Sequence, residues 1–256
     1  MSESAVPAPR GAKRGRSRRI PPRFYFSLRS PYSWLAYRDL LDRYGELAGR
    51  LEWRPFFEPD EQSAKALAEA GGSFPYVAMS RAKHLYILQD VRRLAGERGL
   101  RMAWPIDHEP CWEVPHLAYL AALDAGRGPE FIAASHRARW EEGRDICDRS
   151  VIAELAAELG LPGGRLASAA DDRQLRARGV QALLAVDRDG VFGVPFFVDR
   201  YDKYWGVDRL PAFAAALDGA LDGGSAAVRQ QPAAALAEAR PTAAPGGDAG
   251  HAGGCG

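Results

Sequence analysis

The fold is decided by the segment from Arg23 to Gly45, RFYFSLRSPYSWLAYRDLLDRYG. Its start, RFYFSL (residues 23–28), is a short aromatic and aliphatic run typical of a β-strand. After the tetrapeptide SPYS (residues 30–33), apolar residues recur at helical spacing from Trp34 onward and stop at Gly45. The segment therefore predicts a strand, a tight turn and a helix in direct succession.

Working outward, strand and helix patterns follow in the order of a divided α/β domain. Residues 51–57 (LEWRPFF) predict a second strand, which would pair in parallel with the first in a βαβ unit. From residue 60 to 186 the apolar spacing is almost wholly helical and predicts an insertion of about five or six helices. Strand character returns at residues 190–199, with a partner strand at residues 201–205.

A last helix is predicted from Asp208 to Leu217. The fold class is therefore α/β: a thioredoxin-like domain built from residues 23–59 and 187–220, with an all-helical insertion at residues 60–186. We expect the chemistry at the junction of the two halves, where the SPYS turn meets the Val194-Pro195 pair.

The two ends of the chain have the composition of disordered tails. Residues 1–22 contain six Lys or Arg with almost nothing apolar to bury, and residues 221–256 are rich in Ala, Gly and Pro. A nucleic-acid or partner-binding arm and an Arg-rich organelle presequence are the alternatives for the basic start.

Charge and cysteine content exclude several classes of protein. The 34 basic and 33 acidic side chains nearly cancel, which argues against a nucleic-acid or membrane-surface protein. We find neither a membrane-spanning stretch nor a secretory signal, and expect a cytoplasmic protein. Cys111, Cys147 and Cys255 form no C-x-x-C pair, so neither a disulfide framework nor a zinc site is predicted.

Two local features indicate a site for a thiol. Ser30 precedes Pro31, which is favoured at the first helical position, so Ser30 is the expected N-cap. The helix N-terminus stabilises an anion, and a thiol brought by a cofactor would be stabilised there as a thiolate. Ordinary capping by Ser-Pro is the alternative. The second feature is Pro195 at a strand start, which predicts a cis Val194-Pro195 bond and a backbone able to pair with a peptide-like ligand.

At this point the sequence resembles a known family. Five stretches are similar, in order and spacing, to 2-hydroxychromene-2-carboxylate isomerases and kappa-class glutathione transferases, which are DsbA-like thioredoxin-fold proteins. They are SLRSPYSWLAYRDL, KHLYILQDVRRLAGERGL, WEEGRDICDRSVIAELAAELGL, GVFGVPFFV and YWGVDRL. The resemblance covers residues 23–220.

The resemblance implies a glutathione site, or a site for another small thiol. Ser30 would be the catalytic residue at the sulfur, with Pro31 and Tyr32 beside it. Val194, before Pro195, would pair with the cysteinyl backbone, while Val207 and Asp208 would anchor the γ-glutamyl end. Lys83 matches a basic residue that faces the glycyl end. Ser73 would also bind the thiol cofactor, in the place of an Asn that the family often has in a G-N-x-P stretch. A second departure from the pattern is Phe196, which replaces a frequent Thr after the predicted cis-proline.

The implied activity is a glutathione-dependent isomerisation of a conjugated aromatic or polyenyl carbonyl compound, by reversible thiol addition, bond rotation and elimination. A kappa-type glutathione transferase and a non-catalytic thioredoxin-fold accessory protein are the alternatives. The resemblance also implies a homodimer with a small-molecule substrate.

The remaining polar and aromatic residues have simpler interpretations. The histidines at 84, 108, 116 and 136 share no ligand spacing, so we expect surface or core packing rather than a metal site. Arg137, Arg139 and Arg144 near Trp140 predict a solvated helix face or, alternatively, the lining of an acidic-substrate pocket. Trp104 and Trp112 flank a Pro-rich loop that would form a substrate wall or close the core.

Overall fold

The computed structural model describes residues 20–75 and 79–222. In these residues a four-stranded sheet has the order β2-β1-β3-β4. Its strands are β1 (Arg23–Phe26), β2 (Glu52–Pro55), β3 (Phe196–Asp199) and β4 (Asp202–Trp205). β1 pairs in parallel with β2 and antiparallel with β3, and β3 pairs antiparallel with β4.

Helices account for most of the remaining described chain. In chain order they are α1 (Pro31–Arg43), α2 (Gly45–Arg50), α3 (Glu61–Glu69), α4 (Arg81–Glu97), α5 (Glu113–Asp124), α6 (Gly128–His136), a π-helical turn (Arg137–Glu141), α7 (Arg149–Glu158), α8 (Gly163–Ala167), a 3₁₀ turn (Ala169–Asp171), α9 (Arg173–Asp189), a second 3₁₀ turn (Val207–Arg209) and α10 (Leu210–Asp222). The predicted α/β thioredoxin-like fold with a helical insertion is confirmed.

The boundaries differ from the predicted ones at several points. The insertion contains the seven helices α3 to α9, more than the five or six expected, because α8 has only five residues and leaves little periodic signal. α9 continues to Asp189, three residues beyond the predicted end of the insertion at residue 186, and its C-cap is Gly190 in the left-handed conformation (φ 64°). β3 consequently begins at Phe196 rather than at residue 190.

The expected tails are only partly within the described residues. Residues 1–19 and 223–256, which include Cys255, lie outside them. At the N-terminal boundary, the Pro22 carbonyl accepts a hydrogen bond of 2.9 Å from the Glu52 N–H, so this residue already joins the sheet. At the other end, α10 extends to Asp222, past the predicted tail start at residue 221. Its alanine content favours a longer helix.

The aromatic run of β1 is at the centre of the core. All residues of this strand are buried, as expected for a strand covered on both faces. Phe24 stacks on Phe197 of β3 with ring centroids 4.8 Å apart, and Phe197 stacks on Phe213 of α10 at 5.0 Å. These aromatic contacts fix β1 in the core, and the turn that leads to α1 follows directly after this strand.

α5 is the buried helix of the insertion. Every residue from Glu113 to Ala122 is buried, which is typical of a helix packed on all sides. The Tyr119 hydroxyl donates to the Trp53 carbonyl of β2 at 3.3 Å. This contact links the insertion to β2 of the sheet.

Candidate active site

Ser30 lies at the N-cap of α1, as the sequence predicts. Its backbone is extended (φ −84°, ψ 123°), and its Oγ accepts the N–H of Ser33 at 3.2 Å. Pro31 occupies the first helical turn. Ser30 is fully buried and is not itself in the lining of either neighbouring cavity, whereas the residues that follow it are: Pro31 lines one cavity and Tyr32 the other. The N-terminus of α1 thus lies between these cavities.

The first cavity has a volume of about 470 Å³ and collects most of the predicted binding residues. Its lining includes Tyr32, Val194 and Pro195. The Val194-Pro195 peptide bond is cis. The other predicted residues in its lining are Lys83, Val207 and Asp208. The volume falls within the range of small-molecule sites.

The chain around Gly206 shapes one side of this first cavity. The Gly206 N–H donates to the carbonyl of Pro195 at 3.0 Å, which joins the end of β4 to the cis-proline. Gly206 has φ +105°, and a Cβ there would lie 2.6 Å from Oδ1 of Asp208. The positive φ favours glycine here, and a side chain at this position would also make the Asp208 carboxylate move.

The first cavity carries charge of both signs. Lys83 belongs to the first turn of α4 and is half-buried, whereas Asp208 belongs to the turn after β4 and is exposed. The Asp208 carboxylate pairs with Arg209 at 3.0 Å. A ligand with separate anionic and cationic ends would find a partner for each on different elements.

Residues of α4 that sequence reasoning missed complete this wall. Tyr86, Ile87, Asp90 and Leu94 line the first cavity together with Lys83. They recur at three-to-four spacing and so share one helical face with Lys83. That spacing in the sequence could have predicted them as cavity residues. Trp205, at the end of β4, lines the same cavity and was also not predicted.

The second cavity, of about 240 Å³, lies on the other side of the start of α1. It is lined by aromatic and basic side chains, with few acidic ones. The lining residues are Arg29, Pro31, Met79, His84, Ile87, Trp104, Pro105, Asp107, Arg139 and Trp140. Ile87 is common to both cavities. The second cavity therefore adjoins the first at α4.

Of the three arginines considered for an acidic-substrate pocket, Arg139 is the one in this lining. It is buried, binds Asp107 through both terminal nitrogens at 2.6 and 3.0 Å, and lies over the rings of Trp112 and Trp140. Arg137 and Arg144 pair with surface glutamates. Arg137 lies on a solvated helix face, as in the other interpretation, whereas Arg144 lies in the loop before α7. Trp104 lines the second cavity, whereas Trp112 is buried in the core.

Ser73 does not lie with the other predicted residues. It is exposed, and its hydroxyl donates to Asp187 of α9 at 2.8 Å. The adjacent Phe74 packs on Phe56 with ring centroids 4.9 Å apart, which directs this loop toward α9 and the sheet. Ser73 is absent from the lining of both cavities, so its placement does not match the predicted binding role.

The histidines fall into the two expected groups. His84 and His108 are exposed, and His116 and His136 are fully buried. Among the described residues, one group has side chains close enough to share a metal ion: Asp60, Cys111 and Glu113. Asp60 pairs there with Arg176, and the Glu113 carboxylate accepts the Asp60 N–H at 2.7 Å. Burial raises the pKa of the Cys111 thiol, so it is protonated at neutral pH.

No helix in the described part of the chain is long and apolar enough to cross a membrane. This finding concerns residues 20–75 and 79–222.

Comparison with known proteins agrees with this architecture. The chain is 27% identical over 191 residues to a 2-hydroxychromene-2-carboxylate isomerase of Sphingobium xenophagum, covering 73% of this chain and 92% of the relative. A solved structure of a 2-hydroxychromene-2-carboxylate isomerase is similar with a TM-score of 0.62 at 21% identity, covering 79% of this chain and 96% of that one.

The cytosolic disulfide reductase DsbM of Pseudomonas aeruginosa, solved with GSH, is similar with a TM-score of 0.54 at 21% identity, covering 79% of this chain and 100% of that one. At this level of identity these structures support the fold. The family model of the DSBA-like thioredoxin domain matches residues 23–218. The chain therefore belongs to the DSBA-like thioredoxin domain family.

Proposed function

We propose that this protein is a glutathione-dependent isomerase acting on a conjugated carbonyl compound, aromatic or polyenyl in its carbon skeleton. The observation that carries the proposal is the first cavity, whose lining includes Tyr32, Lys83, Val194-Pro195, Val207 and Asp208. Residues from four separate segments of the sequence line one space beside the N-terminus of α1. The isomerase similarity over 92% of the relative supports the reaction class.

The residues of the cavity fit glutathione in size and charge. Glutathione is a tripeptide with two carboxylates and one ammonium group, and the cavity of about 470 Å³ carries Lys83 and Asp208 on different walls. Lys83 would hold the glycyl carboxylate and Asp208 the γ-glutamyl ammonium. The backbone of Val194 would pair with the cysteinyl unit, as an edge strand pairs with an extended peptide.

Ser30 and the start of α1 would control the thiol. The Ser30 hydroxyl would donate a hydrogen bond to the sulfur, and the positive end of α1 would favour the thiolate further. When bound, glutathione supplies a sulfur that bonds reversibly to a conjugated carbon, so that the former double bond rotates as a single bond before the sulfur leaves. Residues 30 and 33 are both serine, so the chain has no C-x-x-C thiol pair of its own here.

The second cavity would receive the electrophile. It meets the first cavity at Ile87 and the start of α1, and its aromatic walls Trp104 and Trp140 suit a flat conjugated molecule. Arg29 lies in the same lining and is partly exposed, although it pairs with Glu58 at 2.9 Å. A substrate held there would lie next to the thiol-binding end of α1, so positioning supplies much of the catalysis.

The decisive experiment counts glutathione per turnover. An isomerase regenerates its thiol, so glutathione far below the substrate concentration would support many turnovers and the product would have the substrate's mass. A kappa-type transferase would consume one glutathione per turnover and yield a heavier adduct. A non-catalytic accessory protein would do neither. Stoichiometric consumption of glutathione overturns the isomerase assignment.

A further inference from the structure

A histidine of the insertion binds the turn that leads to Ser30. His116, on α5, is fully buried and lies 86 to 89 positions from the residues of this turn. Its Nε2 lies 3.0 Å from the backbone nitrogen of Leu28 and 3.5 Å from Oγ of Ser27 in the same turn. Its Nδ1 lies 2.7 Å from the carbonyl oxygen of Trp112, one helical turn earlier. Each ring nitrogen therefore has a backbone partner.

These partners determine which nitrogen of His116 carries the proton. The Trp112 carbonyl can only accept, so Nδ1 is the donor, and the Leu28 N–H can only donate, so Nε2 is the acceptor. The ring also stacks on Phe57, with centroids 5.1 Å apart and an angle of 19°. Burial, reinforced by the charges of Arg139 and Arg29, lowers the pKa of His116 to about 3, which keeps this tautomer neutral.

The hydrogen bond to Leu28 belongs to a connected turn. The Ser30 N–H donates to the Ser27 carbonyl at 3.2 Å, and the Ser27 N–H donates to the Ser33 hydroxyl at 3.1 Å. The Ser33 N–H donates in turn to Ser30 Oγ. His116 is thus the point at which the insertion fixes Leu28, two residues before the cap. A loss of the Leu28 bond would let Ser30 shift relative to the N-terminus of α1.

We propose that His116 is a positioning residue for Ser30: by accepting the Leu28 N–H from α5, it fixes the turn that places the Ser30 hydroxyl at the thiol. The inference rests on the proposed function for its thiol readout, but its structural step concerns this chain alone. The proposal predicts that any side chain with a hydrogen-bond acceptor at the position of Nε2 would hold the turn, even without an imidazole ring.

Two substitutions separate the nitrogens. The amide oxygen of His116→Gln can take the place of Nε2 and accept from Leu28, whereas the shorter amide of His116→Asn can take the place of Nδ1 but does not reach Leu28. Phe57→Leu loosens the packing around the ring without removing either hydrogen bond. It controls for simple loss of stability, because it damages the same part of the core.

The first measurement is hydrogen exchange at the Leu28 amide in each variant. We expect His116→Asn to accelerate it on the order of tenfold relative to the parent, and His116→Gln to leave it nearly unchanged. The second measurement is the pKa of bound glutathione, from the thiolate absorbance. We expect it to rise by about one pH unit in His116→Asn only, with kcat falling and the KM for glutathione little changed.

An unchanged Leu28 amide in a folded His116→Asn protein would overturn the inference. So would equal thiol pKa values in His116→Asn and the parent, or a rise of the same size in Phe57→Leu. If the parent binds no glutathione, the proposed function fails together with the thiol part of the inference, while the exchange data still decide whether His116 fixes the turn. If His116→Asn fails to fold, the comparison of His116→Gln with Phe57→Leu decides: a raised thiol pKa in a folded His116→Gln protein contradicts the inference.

Discussion

The hydroxyl of Tyr32 donates a hydrogen bond of 2.7 Å to Oδ2 of Asp90, 58 residues later in the chain. This bond joins the first turn of α1 to the middle of α4, and both residues line the first cavity. Asp90 also pairs with Arg93 one turn further along α4. Because the hydroxyl has a single proton and gives it to Asp90, Tyr32 acts as a fixed wall in this arrangement.

The first prediction follows from that bond. Tyr32→Phe keeps the wall and removes only the hydroxyl, so we expect kcat to stay within about threefold of the parent value. If Tyr32 were instead the proton donor to the substrate or the sulfur, the loss would be about a hundredfold or more. Steady-state kinetics with saturating glutathione measure the difference. Asp90→Asn, which keeps an acceptor for Tyr32, is the matched variant and should also retain activity.

The second prediction concerns Asp208 and the ammonium group of glutathione. We expect Asp208→Asn to weaken glutathione binding about fivefold, roughly 1 kcal/mol, because this carboxylate is exposed and its attraction is screened. Calorimetry at low and high salt should show the difference between variant and parent shrinking as salt increases.

Asp202→Asn is the control for this measurement, since Asp202 is an exposed acidic residue of β4 that lies outside the cavity lining. Equal affinities for Asp208→Asn and the parent at low salt would remove Asp208 from the binding site.

The third prediction assigns the two cavities to different ligands. Trp104 lines the second cavity and packs on Trp140 with ring centroids 5.5 Å apart, whereas Trp205 lines the first. Trp104→Ala should raise the KM for the carbonyl substrate about tenfold and leave the glutathione dissociation constant unchanged. Trp205→Ala should raise the glutathione dissociation constant and leave the KM for the carbonyl substrate unchanged. Identical effects of both substitutions on glutathione binding would contradict the division.

The fourth prediction concerns the pH dependence of stability. Burial lowers the pKa of His136 to about 3, and neither of its ring nitrogens has a hydrogen-bond partner within the described chain. An unfolded histidine has a pKa near 6.5, so below about pH 6.5 the unfolded state binds a proton that the folded state does not. The free energy of unfolding should therefore decrease as the pH is lowered below about 6.5. The slope should approach about 1.4 kcal/mol per pH unit for each such histidine.

Replacing His136 by Phe removes one of these protons. Urea denaturation between about pH 7 and pH 5 should show a shallower loss of stability in His136→Phe than in the parent. A parent slope that His136→Phe does not alter would show that His136 is protonated in the folded protein.

Local chemistry explains which features could be predicted from the sequence. The β1 run, the Ser30 cap and the end of α1 depend on residues adjacent in the chain, and the Ser-Pro pair specifies its cap without help from tertiary contacts. Lys83 and Asp208 were indicated by the family resemblance rather than by local chemistry, and both line the first cavity.

Features that depend on packing between distant elements could not be predicted in this way. Asp90 lines the first cavity because α4 packs beside α1. The residues near position 90 in the sequence do not indicate that Tyr32 is its hydrogen-bond partner. Ser73 was placed by analogy of spacing, but the packing of Phe74 on Phe56 takes its loop elsewhere. His116 looked like an ordinary core histidine, since its link to Leu28 exists only in the folded chain.

Ile87 lies in the lining of both cavities, and this position affects how the substrate range of such a protein can change in evolution. Apart from this residue, the two linings share none of their members. Under the proposed function, substitutions in the loop that contains Trp104, Pro105 and Asp107 would therefore alter the cavity proposed for the electrophile and leave the lining proposed for the thiol unchanged. Exchange of that loop between relatives, with residue 87 chosen to match, is a compact route to new substrate ranges.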